Sequence, residues 1–193
     1  MIEIRESSIP NAGIGVWSTR LIPKDSLITE YYGEHLNEDE YLLFKVKSLQ
    51  HFSKERLHDL NRRLLYTKTS DEISVFGDPD SRDVSKCGQL INDRFTILSF
   101  IDNSNEISMQ ELLTYEEESI AQSSVYCLYT EGKLLCYASN DILPNQELFH
   151  SYGIFYWLRY FGLKAPKEFN IYNLTNTLID STKLKKLLTK SNV

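Results

Sequence analysis

Glu147-Leu148-Phe149-His150-Ser151-Tyr152-Gly153 closes the most patterned part of this 193-residue chain. Three shorter stretches upstream give it meaning: Gly13-Ile14-Gly15-Val16-Trp17, Glu30-Tyr31-Tyr32-Gly33-Glu34 and Ile91-Asn92-Asp93. Singly they are weak. Gly13-Ile14-Gly15 lacks a third glycine and no helical pattern follows it, so it is not a dinucleotide-binding fingerprint. Read alone it is either a tight turn between strands or a place where the main chain passes close to a ligand. Asn92 alone reads as a turn residue closing a strand, and Tyr152 as a core tyrosine before a turn glycine.

Outward from these stretches, residues 1–34 read as β-rich. Ile2 and Ile4 alternate with charged residues, Pro10-Asn11-Ala12-Gly13 is turn chemistry, and Leu27 to Tyr32 is β-branched and aromatic. Asn37 followed by Glu38, Asp39 and Glu40 predicts a helix start. Tyr41 to Phe44 and then Leu57, Leu60, Leu64 and Leu65 continue apolar stripes at helical spacing, predicting one or two helices. Ile73 to Phe76 is a short strand. Residues 96–119 carry Asp102, Glu106, Glu111 and Glu116 to Glu118 and read as a solvated, part-helical excursion. Val125 to Tyr129 and Leu134 to Ala138 flank Thr130-Glu131-Gly132-Lys133, a hairpin signal. Residues 154–163 predict an aromatic helix, and Ser181 to Lys190 a short basic amphipathic one.

Composition is that of an ordinary globular protein, with 41% hydrophobic and 25% charged residues. The net charge of −6 argues against a general nucleic-acid binder and favours a basic partner. Cys87, Cys127 and Cys136 form no CxxC pair, so neither a zinc site nor a disulfide framework is expected. With no apolar leader and no membrane-length apolar run, the expected location is intracellular, nucleus or cytoplasm.

Taken in this order, with the hairpin between the third and the last, the four stretches resemble the SET domain, the fold of protein lysine methyltransferases. The resemblance covers residues 2–34 and 86–160. It implies a mainly β, α+β architecture: a pseudoknotted β-fold with a helical insert and C-terminal helices. On that frame residues 1–163 are the domain, 35–85 a variable helical insert, 96–119 an acidic insertion and 164–193 a C-terminal extension. The implied activity is S-adenosylmethionine (SAM)-dependent methylation of a protein lysine, in a histone tail or another basic peptide.

Such a site must hold the donor, align a lysine and keep the amine neutral. A free lysine amine has a pKa of about 10.4, which a dry channel ending at a sulfonium lowers by desolvation and like-charge repulsion. By resemblance, Gly13, Ile14, Gly15, Val16, Trp17, Ile91, Asn92, Tyr152 and Trp157 contact the cofactor. Tyr152 is the implied catalytic residue, placing methyl and amine; a phenol with a pKa near about 10 is a poor base at neutral pH. Tyr31 is implied as its partner in lining the lysine channel. Strand alternation lets only one of Tyr31 and Tyr32 do so. Tyr31, His150, Tyr126 and Tyr156 are the implied substrate contacts, and no metal is implied. Two departures stand out: Asp93-Arg94 where the family carries His-Ser after the asparagine, and Ser151 where it carries Asp before the tyrosine. The first motivates an alternative, a SET-like protein-binding module without catalysis.

Overall fold

The structure, a computed structural model, describes residues 1–37, 40, 64–66, 73–78, 80–100, 107–161, 163 and 166. Eight strands and two helices form among them: β1 (Ile2–Glu6), β2 (Ile14–Ser18), β3 (Leu27–Tyr31), β4 (Gly33–Leu36), β5 (Leu64–Tyr66), β6 (Ser74–Gly77), α1 (Met109–Gln122), β7 (Val125–Thr130), β8 (Lys133–Ala138) and α2 (Ile154–Phe161). The strands make three small antiparallel sheets, β1-β2, β3-β8-β7 and β4-β6-β5.

The β7–β8 hairpin forms where its sequence predicts. Val125 pairs with Ala138 and Thr130 with Lys133, leaving Glu131 and Gly132 as a two-residue turn. Both have positive φ, 50° and 75°, which matches the twist of the strands they join. Tyr31 points into the core and Tyr32 out of it, at 8% and 37% exposure, as alternation requires.

Two expectations need correction. Leu64 and Leu65 belong to a strand rather than a helix, opposite Phe76 and Val75 of β6. A strand partner decides here over helical spacing. Apart from the helical Glu40, the other elements described within 35–85 are strands and a short turn at Val84–Lys86. The helix start at Asn37 does form: Asn37 Oδ1 accepts from the Glu40 amide and Glu40 Oε2 from the Asn37 amide, each at 2.9 Å. The stripes at 41–60 lie outside the described residues, as does the helix expected at 181–190.

The acidic stretch 96–119 is not simply solvated. Ser108 caps α1, reciprocated by Glu111, and the helix buries Leu112, Leu113, Tyr115 and Ser119. The acids fall between these positions, so one face stays apolar and packs on α2 through Ile154, Trp157 and Leu158. A second core, around Val16, Ile22, Val75, Leu134, Ile142 and Leu148, fills the space between the sheets.

The closing segment knots these layers together. The Leu148 amide donates to Val16 of β2 and the Ser18 amide to Gln146. On its other side Phe149 bridges Asn92 in parallel, and the His150 amide donates to the Asn92 carbonyl. Thus 146–150 lies between β2 and the 90–93 segment before α2 begins. Among the described residues no helix is long and apolar enough to cross a membrane.

Candidate active site

A cavity of about 550 Å³ opens where these segments meet. Its wall takes Ile9 to Ile14 from the β1–β2 loop and the start of β2, Gly77 from the end of β6, Asp80 and Arg82 from the stretch after it, and Gln89, Leu90, Asn92, Asp93 and Thr96 from the central segment. Tyr152 and, from α2, Tyr156, Trp157, Tyr160 and Phe161 supply an aromatic side. The volume falls in the range that buries a nucleoside-sized ligand.

Two buried carboxylates flank Asn92, each 6% exposed: Glu147 and Asp93. Glu147 holds the first wall. It accepts from Ser7 Oγ (2.6 Å), from the Ser8 amide (2.7 Å) and from Ser8 Oγ, so it anchors the root of the 9–14 loop. Asn92 Nδ2 donates to the Ile14 carbonyl at 3.0 Å and reaches Glu147 at 3.4 Å. Gly15 makes room for this pairing, because a Cβ there would overlap Glu147 Oε1 and stand 3.3 Å from Asn92 Nδ2.

Asp93 holds the second wall. Oδ2 accepts from the Tyr115 hydroxyl (2.6 Å), the Tyr152 amide (2.9 Å) and the Trp157 indole (3.0 Å). Oδ1 accepts from Ser119 (2.9 Å) and the Phe95 amide (3.2 Å). The Ser119 and Ser151 hydroxyls are themselves hydrogen-bonded at 2.8 Å. Burial and the neighbouring carboxylate push the Tyr115 phenol far above its ordinary range, so it stays a donor.

The Tyr152 hydroxyl donates to the Ile91 carbonyl at 3.0 Å. Its ring sits edge-on to Tyr156 (4.6 Å between centroids) and stacks on Trp157 (5.8 Å). Tyr31 Oη stands against Gly77, a wall residue, where an added Cβ would lie 2.9 Å from it. Burial first, then the nearby Tyr152, Cys127, Cys136 and Tyr156, hold the Tyr31 phenol well above its usual pKa. It is a neutral hydroxyl at any physiological pH.

The residues singled out in the sequence are therefore only partly gathered. Gly13, Ile14, Asn92, Tyr152, Tyr156 and Trp157 line the cavity. Ile91 contributes its carbonyl, and Tyr31 lies behind Gly77. From Ile14 onward the chain is β2: Val16 is fully buried, and Trp17 lies under the Arg5 guanidinium at 3.9 Å. Tyr126 lies outside the wall, stacked on Tyr137 and bonded to Asp25 at 3.3 Å. His150 also lies outside it. Its Nδ1 donates to the Val125 carbonyl at 3.1 Å, and burial lowers its pKa, keeping it neutral.

Sequence reading missed Gln89, Tyr160 and Phe161, and the role of Asp93. A lone acid beside Leu90-Ile91 was the available signal for Asp93. Gln89 straps the rim, donating to Asp78 and Lys86 carbonyls and accepting from the Tyr32 amide. Among the described residues no cluster of His, Cys, Asp or Glu could hold a metal.

The SET domain family model matches residues 13–153, most of the chain, including Gly13, Asn92, Asp93, Glu147 and Tyr152 of the site. This protein belongs to the SET-domain family. Three solved structures are similar to this chain at low identity. A SET8 protein from Cryptosporidium is 20% identical, with a TM-score of 0.48, covering 79% of this chain and 57% of its own. An autoinhibited ctPRC2 complex bound to S-adenosylmethionine is 18% identical, with a TM-score of 0.43, over 79% of this chain and 15% of that one. A ctPRC2 complex with H3K27me3 and H3K27M is 17% identical, with a TM-score of 0.47, over 80% and 14%. This SET domain thus spans little more than half of the first of these chains and about a seventh of the others. No curated protein matches the sequence.

Proposed function

We propose that this SET domain is a SAM-dependent protein lysine N-methyltransferase. One observation carries the reading: the Tyr152 hydroxyl, tied by its proton to Ile91, sits in the same cavity wall as Asn92, the Gly13–Ile14 turn and the aromatic face of α2. The residues present fit the cofactor. The cavity is large enough, its aromatic side offers a face for a purine, and Asn92 with the 9–14 main chain offers polar groups for an amino acid moiety.

Bound SAM supplies an electrophilic methyl on a sulfonium. Each residue then has a defined task. Tyr152, its hydroxyl fixed against the Ile91 carbonyl in the cavity wall, orients the incoming amine beside the methyl. Tyr31, neutral and buried, lines the back of the site without acting as a base. Tyr156 and Trp157 exclude water, so a lysine amine entering beside a cation loses its proton before it reacts. Catalysis is then mostly orientation.

The substrate is a lysine in a basic segment, a histone tail being the first candidate. Membership of a family of lysine methyltransferases and a net charge of −6 support this. Incubation with isotopically labelled SAM and a panel of histones and lysine peptides tests it. Label should enter lysine peptides and not their Lys→Arg counterparts. SAM binding without transfer to any member would leave a binding module instead.

A further inference from the structure

Asp93 is a buried carboxylate balanced, among the described residues, by five donors and not by a cation. Burying a charge this way is costly unless its bonds are all made. The donors come from four places: the Phe95 amide, Tyr115 and Ser119 of α1, the Tyr152 amide, and the Trp157 indole of α2. Three of them converge on Oδ2, two being the Tyr152 amide and the Trp157 indole at 2.9 and 3.0 Å. Those same two residues stack ring on ring and line the cavity. Both departures seen in the sequence, Asp93 and Ser151, fall on this network, Ser151 joining it through Ser119.

We propose that Asp93 is a positioning residue for methyl transfer: its Oδ2 fixes the Tyr152 main chain and the Trp157 ring as one unit, with α1 as the brace. This rests on the methyltransferase reading. Charge-assisted bonds are short and directional, so one acceptor shared by two wall residues sets their relative angle more tightly than packing alone. Without that acceptor, two buried N–H groups lose their partner and the Tyr152 hydroxyl loses its reference to Ile91. A misplacement of order 1 Å at such a group costs about a hundredfold in rate.

The test uses the full chain with Asp93→Asn and, separately, Tyr115→Phe, which removes a single donor from Oδ2. Rates with a methyl-accepting peptide are measured per folded molecule. The Tyr152 amide is followed by NMR, and Trp157 emission in a Trp17→Phe background. For Asp93→Asn the expected result is kcat lower by about a hundredfold with the KM for SAM within about threefold, a shifted Tyr152 amide resonance and a shifted Trp157 emission. Tyr115→Phe should move the same signals in the same direction by less. Rates per folded molecule within about twofold of the parent in both variants would overturn the proposal. If Asp93→Asn does not fold, Tyr115→Phe alone decides in the same terms. If the parent protein methylates no peptide, the functional reading fails separately. The Tyr152 and Trp157 signals then judge the positioning by themselves, and unchanged signals refute it.

Discussion

The Tyr152 hydroxyl donates to the Ile91 carbonyl across 3.0 Å, so the proton of the candidate catalytic phenol is held by main chain. A general base would present the opposite arrangement. The Ile91 carbonyl belongs to the segment that also carries Asn92 and Asp93, so both cavity walls refer to one short stretch.

Tyr152→Phe should therefore separate binding from chemistry. The ring keeps its contacts with Tyr156 and Trp157, while the oxygen is lost. Removing one such preorganised group costs about 10²–10³ in kcat. SAM affinity by calorimetry should change by less than about threefold, since interactions made only in the transition state leave ground-state binding alone.

Gly15→Ala tests the first wall. The added methyl would overlap Glu147 Oε1, so the carboxylate must move away from Ser7 and Ser8 or β2 must shift. Overpacking of this kind costs about 1–3 kcal/mol. Urea denaturation should show that loss. SAM binding should weaken as well, because the 9–14 loop loses its anchor. Unchanged affinity would mean that the loop is held without Glu147.

The buried titratable groups predict opposite responses to pH. Burial raises the Glu116 pKa above its ordinary 4.5, although the Ile154 amide partly opposes this. The cost of charging it is absent below 4.5 and appears as pH rises through the folded value. Burial lowers the His150 pKa below 6.5, so its contribution is intact above 6.5 and is lost as pH falls toward the folded value. Accordingly, the melting temperature of Glu116→Gln relative to the parent should rise between about pH 4 and about pH 7. His150→Asn, which can still donate to Val125, should flatten the loss on the acid side. Parallel melting curves for both variants and the parent would contradict the assignment.

Ser108→Ala removes one half of the box that starts α1, in which Ser108 Oγ accepts from the Glu111 amide at 3.2 Å. A loss of about 1 kcal/mol is expected. Because α1 carries Tyr115 and Ser119, hydrogen exchange at the Tyr152 amide should also quicken. A change confined to the first turn of α1 would show that the brace is independent of the cap.

How much of this was legible follows from what each signal depends on. The β7–β8 hairpin was readable because alternation and a Glu131-Gly132 turn are local, and the Tyr31-over-Tyr32 choice followed from the same period of two. The Ser108-x-x-Glu111 box was equally local but lay inside a stretch dominated by its acids. Leu64 and Leu65 misled because their strand character comes from β6, which spacing cannot show. The wall residues Tyr152, Asn92 and Gly13 were reached through the family's motif order. Asp93 was read as a departure, and its role could not be seen, since four of its five donors come from residues 22 to 64 positions away. Val16 and Trp17 lie in β2, outside the cavity wall.

The most direct measurement is mass spectrometry of lysine peptides incubated with this protein and SAM, alongside Tyr152→Phe. Mass should increase by methyl groups localised to a lysine side chain with the parent protein, and scarcely at all with the variant. Equal methylation by both, or none by the parent at saturating SAM, would contradict the account.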